Sequence, residues 1–242
     1  LSELHLGQER FLFALGDARL DQYGCRGLLD DGTHKLKWDL SWAEDVLVEH
    51  FPLRAMYEGP LPRTKLVAPH FALSASGHYT ADGQAHLLSE CPGVQSHLWG
   101  TSHAPRWRWC RAHTFWEEPS AAFEALTADV RVGPVQVPLT LFVLRTRGQV
   151  YRFHQPLALI SGNESHTDAV DDDDPRVARV GRWTVGGGDT SLRFRGEISA
   201  PLPTFLGLEY TDPDGSARYC AHSKLATVSL ELLEPEGRGR WR

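Results

Sequence analysis

Apolar and polar positions alternate along this chain far more often than they recur at helical spacing. Side chains leave a strand on opposite sides in turn, so apolar residues two apart mark one buried strand face. On that reading 10–18, 36–42, 107–117, 128–137, 139–146, 150–159, 179–185, 191–198, 206–211, 217–222 and 226–233 are predicted strands. Turn chemistry falls between them: Asp30-Asp31-Gly32, Asp82-Gly83, Arg147-Gly148, Gly186-Gly187-Gly188-Asp189 and Asp212-Pro213-Asp214-Gly215. Asp and Gly accept the backbone angles that tight hairpins need. Only 120–126 reads as helical, and it is short enough to be a connector. Many short strands with hairpin turns predict an all-β antiparallel sandwich or barrel.

No low-complexity linker divides the sequence. The best junction is 117–122, where an aromatic cluster gives way to an evenly spaced second series of strands, so domains 1–118 and 119–242 are expected. Residues 52–69 hold four prolines and are expected to form a long surface connection. Asp171 to Asp174, followed by Pro175, interrupt the second half. They lack the spaced D-x-D-x-D-G pattern that wraps Ca²⁺ and read as a solvated loop.

At 242 residues the chain can bury one large β core or two smaller ones. A net charge of −6 argues against nucleic acid as a partner, and Arg238, Arg240 and Arg242 read as a solvated basic terminus. No window reaches the ~18 apolar residues of a spanning helix, so no stable membrane insertion is expected. The first residues lack the layout of a signal peptide, and the only methionine is Met56. The sequence is therefore expected to be a processed form or a fragment, with an upstream targeting segment left open. Four cysteines without a CxxC pair read as reduced thiols of a cytoplasmic protein. The sequon at Asn163 matters only in a secreted protein.

Candidate chemistry concentrates in 92–117, which carries Trp99, Trp107, Trp109, Trp116, His97, His103 and His113, with Gly93 and Gly100 expected in turns. If 107–117 is one strand, Trp107, Trp109, Arg111, His113, Phe115 and Glu117 share a face, opposite Arg108, Cys110, Ala112, Thr114 and Trp116. Three polar groups among three rings do not make an ordinary core face, since each unpaired buried one costs about 1–3 kcal/mol. Such a face is either partly wet or lines a polar-bottomed pocket. A metal centre is not expected, because Cys110 and His113 would face opposite ways and no second Cys/His pair completes a tetrahedral set. His97 has three readings: a histidine held by backbone at both nitrogens, a hydrogen-bonding partner for ligand, or a proton donor. Trp38 and Trp42 share a stripe with Leu36 and Leu40, the wall of a core or of an apolar cavity. No nucleophile elbow or phosphate loop is present.

Three segments occur in order: Leu36-Lys37-Trp38-Asp39-Leu40-Ser41-Trp42; Gly93 to Gly100 with His103-Ala104; and Glu209-Tyr210 with Asp212-Pro213-Asp214-Gly215, Tyr219-Cys220 and Ser223 to Ala226. Together they resemble the superfamily of carotenoid hydratases, tocopherol cyclases and some fungal Diels–Alderases. That resemblance implies two packed lipocalin-like β-barrels holding a hydrophobic polyene or prenyl chain. It also implies further strands before the equivalent of Arg10. Their absence predicts a first barrel that is incomplete, open on one side, or completed by a partner in an oligomer. In the hydratases a His-x-Trp pair, matched by His97 and Trp99, lines the site with a downstream Tyr-x-Asp. The corresponding stretch, 123–129, has no tyrosine.

The resemblance and the residues imply cofactor-independent hydration, cyclisation or pericyclic chemistry on a hydrophobic polyene, prenylated or polyketide-like molecule. His97 and Glu117 would be the catalytic groups, and Trp99, Trp107, Trp109, His113, Phe115 and Trp38 the binding walls. No cofactor or metal is called for. A lipocalin-type carrier of lipid or pigment needs the same walls and is the alternative.

Overall fold

The computed structural model describes residues 4–6, 12–132, 134–154, 163–170, 179–237 and 240–241. Alternation becomes strand nearly everywhere: among these residues helix is confined to one turn, α1 (Ala55–Glu58), and a 3-10 turn at Leu202–Thr204. The antiparallel sheets curl into half-barrels, so the fold is all-β and of the lipocalin-like class. Contacts divide the chain into a first unit of 1–49 and 67–97 and a second of 50–66 and 98–242. The stretch 117–122, expected at a junction, falls within the second unit.

The first unit is built on one sheet. Its strands are β1 (Leu4–Leu6), β2 (Leu12–Leu15), β3 (Ala18–Asp21), β4 (Gly24–Asp30), β5 (Lys35–Trp42), β6 (Val48–Glu49), and most of β7 (Thr64–Ala81) and β8 (Gln84–Gly100). They run in the order β1-β2-β3-β4-β5-β7-β6, with β8 pairing to β7. Asp82 (φ 49°) and Gly83 (φ 84°) both adopt left-handed backbone and close the β7–β8 hairpin in two residues. Gly93 lies inside β8 and Gly100 at its end, so neither sits in the turn expected from sequence. Long strands at 64–81 and 84–100 are also additions, because Pro69 and Pro92 interrupt the apolar alternation there. The surface connection expected over 52–69 is correspondingly shorter.

In the second unit β9 (Trp107–His113), β10 (Ala122–Val132), β11 (Val135–Thr146) and β12 (Gln149–Phe153) form a sheet in the order β12-β11-β10-β9. A second sheet joins β13 (Glu164–Val170), β14 (Arg179–Gly188), β15 (Arg193–Ser199) and, after two intervening strands, β18 (Thr227–Leu233). Those two, β16 (Leu206–Thr211) and β17 (Ala217–His222), pair as a hairpin, as do the short β19 (Pro235–Gly237) and β20 (Arg240–Trp241). Phe123, Phe142, Phe153, Phe194, Trp183 and Ile198 join both four-stranded sheets in one core. On the opposite face of β10 and β11, Phe51 and Leu141 are buried together with Leu126 and Tyr57 packed against them.

Both faces of β10 and β11 are therefore covered. The run 121–125 is buried throughout, which removes the alternation and leaves an Ala-rich stretch that imitates a helix. This is why the predicted helix at 120–126 is strand. Thr114 (φ 63°) ends β9 early, so the strand expected to Glu117 stops at His113. Gly186, Gly187 and Gly188 belong to β14, and the expected turn moves on to Asp189, whose carboxylate accepts from Ser191 and Leu192 N–H. The four-aspartate segment and the ends of the basic tail at Arg238 and Arg242 lie outside the described residues, as does 155–159 of the strand expected over 150–159.

Candidate functional site

Three arrangements gather the chemistry. The first is a groove of about 470 Å³ in the first unit, walled by Leu47, Val67 and Pro69 and carrying His70, Gln95 and His97. His97 is exposed at the end of the unit's share of β8. His70 is buried, and its hydrogen bonds fix its tautomer. Nδ1 accepts from the Asp45 N–H at 2.9 Å, and Nε2 lies 2.9 Å from the Gln22 carbonyl, to which it must donate. An imidazole that accepts at one nitrogen and donates at the other is neutral. His70 is thus held by backbone at both nitrogens, one of the roles weighed for His97.

The second arrangement lies on the face of β9 that the alternation singled out. Cross-strand pairing sets Trp109 opposite Leu126, Arg111 opposite Glu124 and His113 opposite Ala122. Glu124, 1% exposed, accepts from Trp109 Nε1 at 2.8 Å, Arg111 Nη1 at 2.6 Å and His50 Nε2 at 3.0 Å. Arg111 Nε in turn donates to His113 Nε2 at 3.0 Å. Burial pushes the Glu124 carboxyl up. The hydrogen bond and charge of His50, the charge of Arg111 and the Trp109 N–H outweigh it and hold the group below its ordinary value. Arg111 and His113, two of the three polar groups expected on this face, belong to a buried network around Glu124. Glu124 itself was missed, though it sits in the stretch searched for Tyr-x-Asp; a carboxylate in an otherwise apolar run was the available signal.

The third arrangement is a His–Asp pair. Asp212, 2% exposed at the end of the β16–β17 hairpin, accepts at Oδ1 from the His103 N–H at 2.8 Å and from His103 Nδ1 at 2.5 Å. Arg218 Nε donates to its Oδ2 at 3.0 Å. The backbone bond from His103 leads in holding the Asp212 carboxyl far below its usual range, and the imidazole and Arg218 add to it against the opposing effect of burial. His103 packs beside two rings that also meet each other edge to face, with centroids 5.7 Å from Trp107, 5.5 Å from Tyr210 and 6.4 Å between those two. Its side chain is 25% exposed, and among the described residues Nε2 has no hydrogen-bond partner. Nothing in spacing links His103 to Asp212, 109 residues apart. Only the order of the resembling segments hinted that they belong together.

The remaining sequence candidates scatter. Trp99 is half-buried in the second unit and stacks on Tyr57 of α1 (6.1 Å, 23°). Trp38 packs across Gly27, where a Cβ would collide with its ring. Phe115, carried round by the Thr114 bend, packs on the core that also holds Cys110, the face opposite Trp109. Glu117, expected as an auxiliary acid on the Trp107 face, is exposed beyond the strand for the same reason. Burial and the Glu124 charge push the Cys110 thiol up to about 12, which leaves it unreactive.

A model of the family described as tocopherol cyclase-like matches residues 66–240, more than half of the chain. The chain belongs to that family. The matched residues include His97, His103, Glu124 and Asp212, and all of the groove from Val67 to His97. Uncharacterized proteins from two strains of Mycobacterium tuberculosis are each 25% identical to this family member over 229 residues. The alignment covers 90% of this chain, which spans 63% of the length of those relatives. No solved structure matches. No helix among the described residues is long and apolar enough to cross a membrane.

Proposed function

We propose that this tocopherol cyclase-like chain binds a hydrophobic polyene, prenylated or polyketide-like molecule and acts on it by cofactor-independent acid–base chemistry, as a hydratase or cyclase. The His103–Asp212 pair, with the Trp107 and Tyr210 rings packed beside the imidazole, carries the reading. An ionised Asp212 fixes the proton on His103 Nδ1, so Nε2 is the nitrogen that gives or takes a proton at the open edge of the ring. In hydration, a proton goes to one alkene carbon, the water oxygen bonds to the other, and the water's surplus proton returns to the base. The π faces of Trp107 and Tyr210 stabilise positive charge arising beside them, by about 2 kcal/mol when dry.

The test is to incubate the protein with prenyl alcohols, prenylated phenols and carotenoid polyenes and to analyse the products by mass spectrometry. A product heavier by one water marks hydration; an isomer of unchanged mass marks cyclisation. His103→Gln should lower the rate by about 10²–10⁴-fold, the usual contribution of a general acid or base. Turnover unchanged in that variant would overturn the assignment.

A non-catalytic carrier is the second reading, favoured by the groove of the first unit. Its apolar walls can hold a chain without chemistry, and its buried imidazole has both nitrogens occupied. Saturable binding with no conversion of any ligand would decide for it.

A further inference from the structure

We infer that the groove of the first unit selects an apolar molecule carrying a neutral hydroxyl, which it recognises through Gln95. The inference rests on the reading that the chain binds a hydrophobic small molecule, and it names the chemistry that molecule must carry. A groove of about 470 Å³ lies within the range of small-molecule sites, which pair apolar walls with a few placed polar groups. Leu47, Val67 and Pro69 supply the walls.

Most of the polar groups lining it are already engaged. His70 uses both ring nitrogens on backbone. Glu44 Oε1 accepts from Gln22 Nε2 at 2.7 Å and from the Tyr23 hydroxyl at 3.0 Å. Asp45 Oδ2 accepts from the Ala72 N–H. Gln95 differs. It is 5% exposed, and its Nε2 donates to the Asp21 carbonyl at 2.9 Å, which fixes the orientation of the amide. Its Oε1 is buried, with no partner among the described residues.

An unpaired buried carbonyl is a standing cost that a donor from ligand removes. A hydrocarbon or an ether leaves that cost in place; an O–H satisfies it. The carboxylates of Glu44 and Asp45 line the same groove and disfavour an anionic head, so among oxygen donors an alcohol or phenol is favoured over an acid. Recognition then follows the rule that a site built to pair a hydroxyl rejects the analogue lacking it.

Farnesol and its methyl ether test this, since they share chain and oxygen and differ only in the donor. Trp42, whose Nε1 donates to the Gln22 carbonyl at 3.0 Å, is a native fluorescent reporter beside the groove. The wild-type protein should bind farnesol about 5- to 30-fold more tightly than the ether. Gln95→Met should bring the two within about twofold, because the acceptor is gone and the volume is kept. As a measurement independent of that variant, the Gln95 side-chain amide NMR resonances should move with farnesol and stay with the ether. Equal affinities in the wild type, a preference that survives Gln95→Met, or an unmoved Gln95 resonance would overturn the inference and leave hydrophobic binding standing. Binding of neither probe would overturn the groove as a ligand site altogether.

Discussion

Two histidines in one groove have different fates because of the backbone around them. His70 is spent on the Asp45 N–H and the Gln22 carbonyl, whereas His97 is exposed at the groove it lines. His70→Leu should therefore destabilise the protein by about 1–3 kcal/mol, since it leaves backbone groups unpaired. His97→Gln should leave the melting temperature nearly unchanged and weaken binding of a groove ligand. Calorimetry beside ligand titration separates the two, and a large loss of stability in His97→Gln would return that residue to a structural role. At Glu124 the charges decide. Glu124→Leu strands a buried Arg111 and should cost about 3–5 kcal/mol, as removal of one partner from a buried pair does. Denaturant unfolding checks it, and a near-neutral result would mean that Arg111 finds another partner. Local pattern showed the company of Trp109, Arg111 and His113. It could not show Glu124 or Asp212, because both are placed by pairings that sequence spacing does not encode.

At the level of elements, the hairpins were legible where turn chemistry met clean alternation. The β16–β17 and β17–β18 neighbourhoods follow the expected bounds to within a residue or so, and Asp82-Gly83 forms the predicted tight turn. Legibility failed where burial on both faces erased the period, as in β10, and where proline broke it, as in β7 and β8. The His-x-Trp-Gly element shows what its glycine is for. Gly100 has φ 151°, and a Cβ there would fall on the Arg63 carbonyl oxygen, which is backbone and cannot step aside. Gly93 has ordinary angles, and a Cβ there would meet the Leu73 side-chain tip at 2.8 Å, which can turn away. Gly100→Ala should thus cost about 1–3 kcal/mol of stability, with Gly93→Ala costing less. Comparable thermal shifts in the two variants would show that the strand end relaxes freely.

For the molecule as a whole, acid is the condition that should expose how the second unit is held. Its buried carboxylates, Glu124 and Asp212, both sit below their ordinary values when folded. A depressed folded pKa means that the unfolded chain binds the proton more readily, so these groups contribute stability that is complete above the unfolded carboxylate range near ~4. That contribution is lost as pH falls through the folded values. Melting temperature should therefore be flat from neutrality to about pH 5 and fall steeply below about pH 4. The fall has a residue-level signature. Asp212→Asn cannot ionise, so it should begin less stable at neutral pH and lose less on acidification, and its curve should converge on that of the wild type at low pH. A wild type and an Asp212→Asn variant whose melting curves run parallel at every pH would show that the carboxylate contributes through shape alone. The charge on Asp212 would then have no part in fixing the His103 tautomer, and the acid–base reading would lose its support.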